Sequence, residues 1–278
     1  MSSVSKILSV GTIAISLTLS FIASAQTTGK LQTVLARGKL IVGTGSTNPP
    51  WGFQEKSGKL VGFDIDIARI IAKGLFNDPS KVEFVTQSSD ARIPNITTGQ
   101  VDITCQAMTV TAPRAQQVAF TIPYYREGVS LLLKKGGKYA DYAAMKAAGS
   151  AVTVSVLQNV YAEDMLHQAL PGAKVDQFDN VGLMYQALNS GRSDAAATDA
   201  SSLRWFMKQN PEKYADAGYG WNPQNYSCAV KQGDADWLQF VNTAIEQALT
   251  GVDYGDYKVA YETWFGVSPP APAIGFPR

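Results

Sequence analysis

Short β-rich runs alternate with helical periodicity twice along this chain, and that repeated alternation restricts the fold more than any other feature of the sequence. In the first set, residues 39–44 (KLIVGT) predict a strand. Ile65, Ala68, Ile71 and Ala72 recur at three- and four-residue spacing, which predicts a helix opened at Gly62-Phe63-Asp64 with Asp64 as its N-cap. A strand at 81–86 (KVEFVT), a helix at 91–98 stopped by Gly99 and a strand at 101–107 (VDITCQA) follow. This order predicts a parallel sheet covered by helices.

The pattern then resets. Residues 128–134 (GVSLLLK) predict a strand ending at Gly136-Gly137. Helices are expected at 142–148, 161–170, 182–190 and 201–209, with strands at 151–155, 174–178, 194–198 and 226–231. Two helical runs, 236–249 and 254–265, precede a Pro-rich tail from Pro269. The fold class expected is therefore α/β with two lobes. Lobe 1 takes residues 26–126 and 226–278, lobe 2 takes 127–225, and the connections near 124–130 and 225–230 act as hinge strands. Ligands of open α/β sheets bind beyond the carboxyl ends of strands, so the cleft between the lobes is the expected site.

The first 25 residues read as an export signal. Lys6 is the only charge before Ala25, an apolar run covers 7–22, and Ala23-Ser24-Ala25 has the small-x-small form that a signal peptidase cuts. Removing 25 of the 278 residues leaves 253, enough for two compact lobes. Loss of Lys6 takes the formal charge from +1 to 0, so no basic excess exists to neutralise phosphates and nucleic acid is not an expected partner. No later apolar run reaches membrane-spanning length.

Cys105 and Cys228 are the two cysteines. In an exported chain such a pair is expected to be oxidised to a disulfide, the other reading being two buried thiols. With these and a single histidine, His167, no metal site or cofactor is expected; His167 itself reads as a surface residue. There is no Ser-His-Asp order and no phosphate-cradling Gly-rich loop, so the residues suggest a binding module and not an enzyme. A catalytic reading would need an acid or base in the cleft, for which Glu127, Glu163 and Asp179 are the loose candidates.

Several segments together resemble the solute-binding proteins of polar amino-acid ABC transporters, in particular the glutamate/aspartate-binding branch. They are 48–53 (NPPWGF), 62–68 (GFDIDIA), 91–102 (ARIPNITTGQVD), 107–114 (AMTVTAPR), 118–125 (VAFTIPYY), 191–199 (GRSDAAATD), 226–231 (YSCAVK) and 262–266 (ETWFG). The resemblance implies a periplasmic-binding-protein-like fold of type II, a cleft that closes on its ligand, a periplasmic monomer and a membrane permease as partner. The same fold also supports dehydratases acting on small carboxylates, which is the alternative function.

An amino acid presents a carboxylate and an ammonium on one carbon. Arg114 matches the family's clamp arginine, whose paired N–H donors suit a carboxylate. The resemblance implies that Thr109 adds its N–H and hydroxyl and that Ala107 lines the same wall. Asp199 matches the ammonium-binding acid; the competing role for it is N-cap of the following helix. Gln158 and Asn159 stand where the family carries a Gly-Thr turn that offers N–H groups. Trp51, stiffened by Pro49-Pro50, either lines the pocket or plugs the lobe core. Arg92, before Ile93-Pro94, and Ser89 keep positions that contact an acidic side chain in that branch, whereas Gly45 and Val181 replace its other cationic groups. A polar or acidic ligand is expected.

Overall fold

The computed structural model describes residues 29–158 and 162–275. The expected signal segment and Asn159 lie outside them. The strands collect into two five-stranded sheets and a small three-stranded one.

The first sheet runs Val82–Thr86, Leu40–Thr44, Ile103–Thr104, Ala229–Val230, Ala119–Phe120. Its first three strands are parallel, and Ala229–Val230 lies antiparallel to both of its neighbours. One of its interior strands, Ala229–Val230, therefore comes from far along the chain. Helix Phe63–Phe76 buries Phe63, Ile67, Ala68 and Ile71 against this sheet, together with Trp237, Val241 and Ile245 of helix Ala235–Thr250. The apolar spacing of the two helices gives each one a stripe that must be covered. The N-terminal helix Lys30–Arg37 is tied down through Asp102, 3% exposed, whose carboxylate meets Lys30, Arg37 and the Ile41 N–H.

The second sheet runs Lys174–Phe178, Thr153–Leu157, Ala195–Asp199, Tyr125–Lys134, Tyr214–Tyr226. Its core explains the unbroken Leu131-Leu132-Leu133. Leu131 and Leu133 pack with Val154, Val156 and Leu166 on one face, and Leu132 packs with Met184, Leu188 and Leu203 on the other. A strand covered on both faces loses the polar alternation of a half-exposed one.

Strands Tyr125–Lys134 and Tyr214–Tyr226 are antiparallel, with Tyr125 opposite Tyr226 and Glu127 opposite Gln224, so both connections between the lobes lie side by side. The small sheet, Thr47–Asn48, Gly52–Gln54 and Leu60–Val61, carries Trp51 at its turn. Gly62 follows it at φ 135°, where a Cβ would stand 2.0 Å from the Trp51 carbonyl oxygen, so only glycine fits. The disulfide Cys105–Cys228 joins the ends of two neighbouring strands of the first sheet, with a Cα–Cα distance of 4.4 Å.

Candidate functional site

The first lobe delivers its site residues from the segment after strand Ile103–Thr104. Ala107 has φ +41°, in the region side chains avoid. Asp64 holds it there: one carboxylate oxygen accepts the Ala107 N–H at 2.9 Å, and the other accepts the Tyr124 hydroxyl at 2.6 Å. Asp64 is thus not the N-cap expected from sequence. Gly62 takes that position, and the Asp64 side chain is spent on tertiary contacts. Burial pushes its carboxyl up to about 7, against the pull of those two hydrogen bonds and of Arg92.

Two residues on, the Thr109 carbonyl accepts from Arg114 Nη1 at 2.9 Å, and its hydroxyl donates to Gln224 Oε1 at 2.6 Å. Arg114 stands on the short helix Ala112–Ala115, whose N-cap, Thr111, accepts the Arg114 N–H. Arg92 opens helix Arg92–Thr98; its Nε donates to the Ser89 carbonyl at 2.8 Å and its Nη1 to the Gln106 carbonyl at 3.2 Å. The Ser89 residue itself is exposed. Among the described residues no carboxylate forms an ion pair with Arg92. The nearby Asp90 acts on it only through its charge. Burial, and then the charge of Arg114, lower the Arg92 guanidinium to about 10. Two guanidinium groups close enough to repel mark a place suited to an anion.

From the second lobe comes Asp199, the last residue of its strand and opposite Val129. It occupies the N-cap position of helix Ala200–Gln209 but makes no capping hydrogen bond, so its carboxylate faces donors other than the helix N–H groups. Burial raises the Asp199 carboxyl, and the Tyr226 hydroxyl and the charge of Arg92 oppose that rise. Arg92 and Asp199, from opposite lobes, therefore act on one another. Glu127, 5% exposed, lies beside them; burial and the Asp199 charge raise its carboxyl.

The structure places the other expected residues variously. Trp51, 1% exposed, sits in an aromatic cluster edge-on to Phe63, Tyr125 and Tyr226, and its indole N–H donates to the Ser201 hydroxyl at 3.0 Å. Of the two roles weighed for it, this geometry is that of the plug, with one polar contact across to the other lobe. The Gln158 N–H is taken by the Phe178 carbonyl at 2.7 Å, so it is not offered to an anion, and the residue is exposed. Gly45 borders Gln106, whose amide nitrogen an added Cβ would approach to 3.4 Å. His167, expected on the surface, is half-buried, with Nε2 3.1 Å from the Ala173 carbonyl oxygen. Sequence reasoning passed over Tyr226, Ser201 and Gln224. Their places depend on the pairing of distant strands, which no local pattern encodes.

Two α/β lobes, two side-by-side connections and opposed charges across the cleft define a two-lobed extracytoplasmic binding protein. The description "Bacterial extracellular solute-binding proteins, family 3" matches residues 40–267, and the chain belongs to that family. It is 30% identical over 232 residues to the ABC transporter glutamine-binding protein GlnH of Bacillus subtilis, covering 83% of this chain and 82% of that one. An ancestral arginine-binding protein, solved with glutamine and with arginine, is 37% identical with a TM-score of 0.71, covering 83% of this chain and 99% of that one. The ancestral amino acid-binding protein AncCDT-1, a precursor of cyclohexadienyl dehydratase, is 32% identical with a TM-score of 0.72, covering 85% of this chain and 99% of that one.

Proposed function

We propose that this chain captures a polar or acidic amino acid in the periplasm, after removal of its signal segment, and delivers it as a monomer to the permease of an ABC transporter. One observation carries the reading: Arg92 of the first lobe, with Arg114 near it, and Asp199 of the second act across one cleft. Arg114, assisted by Thr109 and the Ala107 wall, takes the α-carboxylate; Asp199 takes the ammonium; Arg92 with Ser89 faces the ligand side chain. Lobe boundaries at 126/127 and 225/226 fit this scheme. A ligand gripped from both sides stabilises the closed arrangement by its differential affinity. The relatives' amino-acid ligands support the class, and the neutral mature charge argues against nucleic acid.

The catalytic alternative, a dehydratase-like enzyme on a small carboxylate, draws on the AncCDT-1 likeness and on Glu127, a buried acid whose raised pKa suits a proton donor. The binding reading is the stronger, because the family and the curated relatives are binding components of amino-acid transporters. A thermal-shift screen against the common amino acids and small dicarboxylates tests it: a tight ligand must raise Tm by mass action. If no amino acid stabilises the protein, the reading fails. Mass analysis of the incubated ligand separates binder from enzyme, and any product would favour the alternative.

A further inference from the structure

The acid beside Asp199 is built into the lobe more deeply than Asp199 is. Glu127 lies on strand Tyr125–Lys134, two residues before Val129, the partner of Asp199, so the two carboxyls project from neighbouring strands. Glu127 Oε1 accepts the Gly128 N–H at 2.9 Å; Oε2 is buried without a hydrogen bond of good geometry, and the Ser201 hydroxyl and N–H approach the carboxyl and favour its charged form. Among the described residues no cation forms an ion pair with either acid. The groups around Glu127 are Asp199, Ser201 at the start of the next helix, Tyr226 from the paired strand, and Tyr125 and Tyr261, which Arg204 borders. Around Asp199 stand Tyr226, Tyr185, Arg92 and Asp64.

Two carboxylates withdrawn from water do not both ionise without a counter-charge; the pair keeps a proton, and its titration belongs to both groups. We propose that Glu127 is a second carboxylate of the ammonium site, sharing one proton with Asp199 when the site is empty and releasing it to solvent when a ligand ammonium enters. The inference rests on the amino-acid reading above. The ammonium brings one positive charge and three N–H donors, and it can meet Asp199 and Glu127 Oε2 together. A ligand without an ammonium, such as a dicarboxylate, cannot replace the proton and leaves it in place.

The first arm uses the ligand-free protein. Infrared spectra at neutral pH should contain a protonated-carboxyl band that survives Asp64→Asn but is lost in Glu127→Gln. Should Glu127→Gln not fold, Asp199→Asn is read in the same way. A band unchanged by loss of either acid overturns the proposal. The second arm is calorimetry with L-glutamine, or with the amino acid that most raises Tm, in phosphate and in Tris. Wild type should release protons on binding, with affinity rising by up to about tenfold per pH unit as the pair's proton is titrated away. Glu127→Gln should bind with no proton release and a flat pH profile. Equal release in both proteins overturns the proposal. Failure of every amino acid to bind overturns the functional reading, and the infrared arm still judges the shared proton.

Discussion

The indole N–H of Trp51, on the small sheet of the first lobe, donates to the hydroxyl of Ser201, at the start of a helix in the second, over 3.0 Å. Both residues are 1% exposed. The bond exists only while the lobes are together, so it favours closure without touching a ligand charge. Ser201→Ala would leave a buried N–H unpaired, at a cost of about 1–3 kcal/mol. Ligand affinity should fall accordingly, by calorimetry, with the stability of the free, open protein little changed. Unaltered affinity would show that the contact contributes nothing to closure.

Arg114→Ala and Asp199→Ala should each weaken amino-acid binding by about 2–4 kcal/mol, because each leaves a ligand charge buried without its partner. Titration calorimetry of both variants checks this. Wild-type affinity in either one removes that residue from the site.

Arg92 separates ligand classes. Its guanidinium is held by two backbone carbonyls and has no carboxylate partner among the described residues. Arg92→Gln should therefore cost a glutamate or aspartate ligand tenfold or more in affinity, on the order of 1.4 kcal/mol, and a glutamine ligand less. Equal losses for both would exclude contact with the ligand side chain.

Asp64 makes stability depend on pH. Its folded pKa, about 7, lies above that of an ordinary Asp, so the folded state holds a proton that the unfolded chain gives up. The stabilisation is fully present below the unfolded pKa, near 4, and is lost as pH rises through about 7. Tm of the ligand-free protein should fall over that interval, and Asp64→Asn should flatten the profile, even if it lowers Tm throughout by disturbing Ala107. A slope identical to wild type would contradict the assignment.

The disulfide closes a long segment, since 123 positions separate its cysteines. Replacing both, as Cys105→Ala with Cys228→Ala, should destabilise by about 2–5 kcal/mol, measured by denaturant unfolding. A loss well under 1 kcal/mol would mean that packing alone holds these strand ends.

Elements defined by local periodicity were readable from sequence. Helices Tyr142–Ala148 and Tyr254–Phe265 and strand Lys174–Phe178 fall where spacing places them. Strand Tyr214–Tyr226 was not foreseen, because Gly218, Gly220 and Pro223 read as turn residues; its 13 residues pair through register shifts beside a shorter partner of 10. The expected strand at 101–107 shrinks to Ile103–Thr104, since the chain turns aside at Ala107 to meet Asp64. Arg114 and Asp199 stood out as candidates through their motifs. The burial that raises the carboxyls of Asp64, Glu127 and Asp199 was not legible, because it arises only when distant strands and helices enclose them.

The first sheet keeps an empty lane between Ile103–Thr104 and Ala119–Phe120 until Ala229–Val230 arrives, whereas every strand of the second sheet lies between residues 125 and 226. A chain emerging from the ribosome N-terminus first can complete the later-encoded lobe from its own segment, but it leaves the earlier one unfinished until roughly four-fifths of the polypeptide has been made. Synthesis order and completion order are thus reversed for the two halves: the lobe begun first is the one finished last.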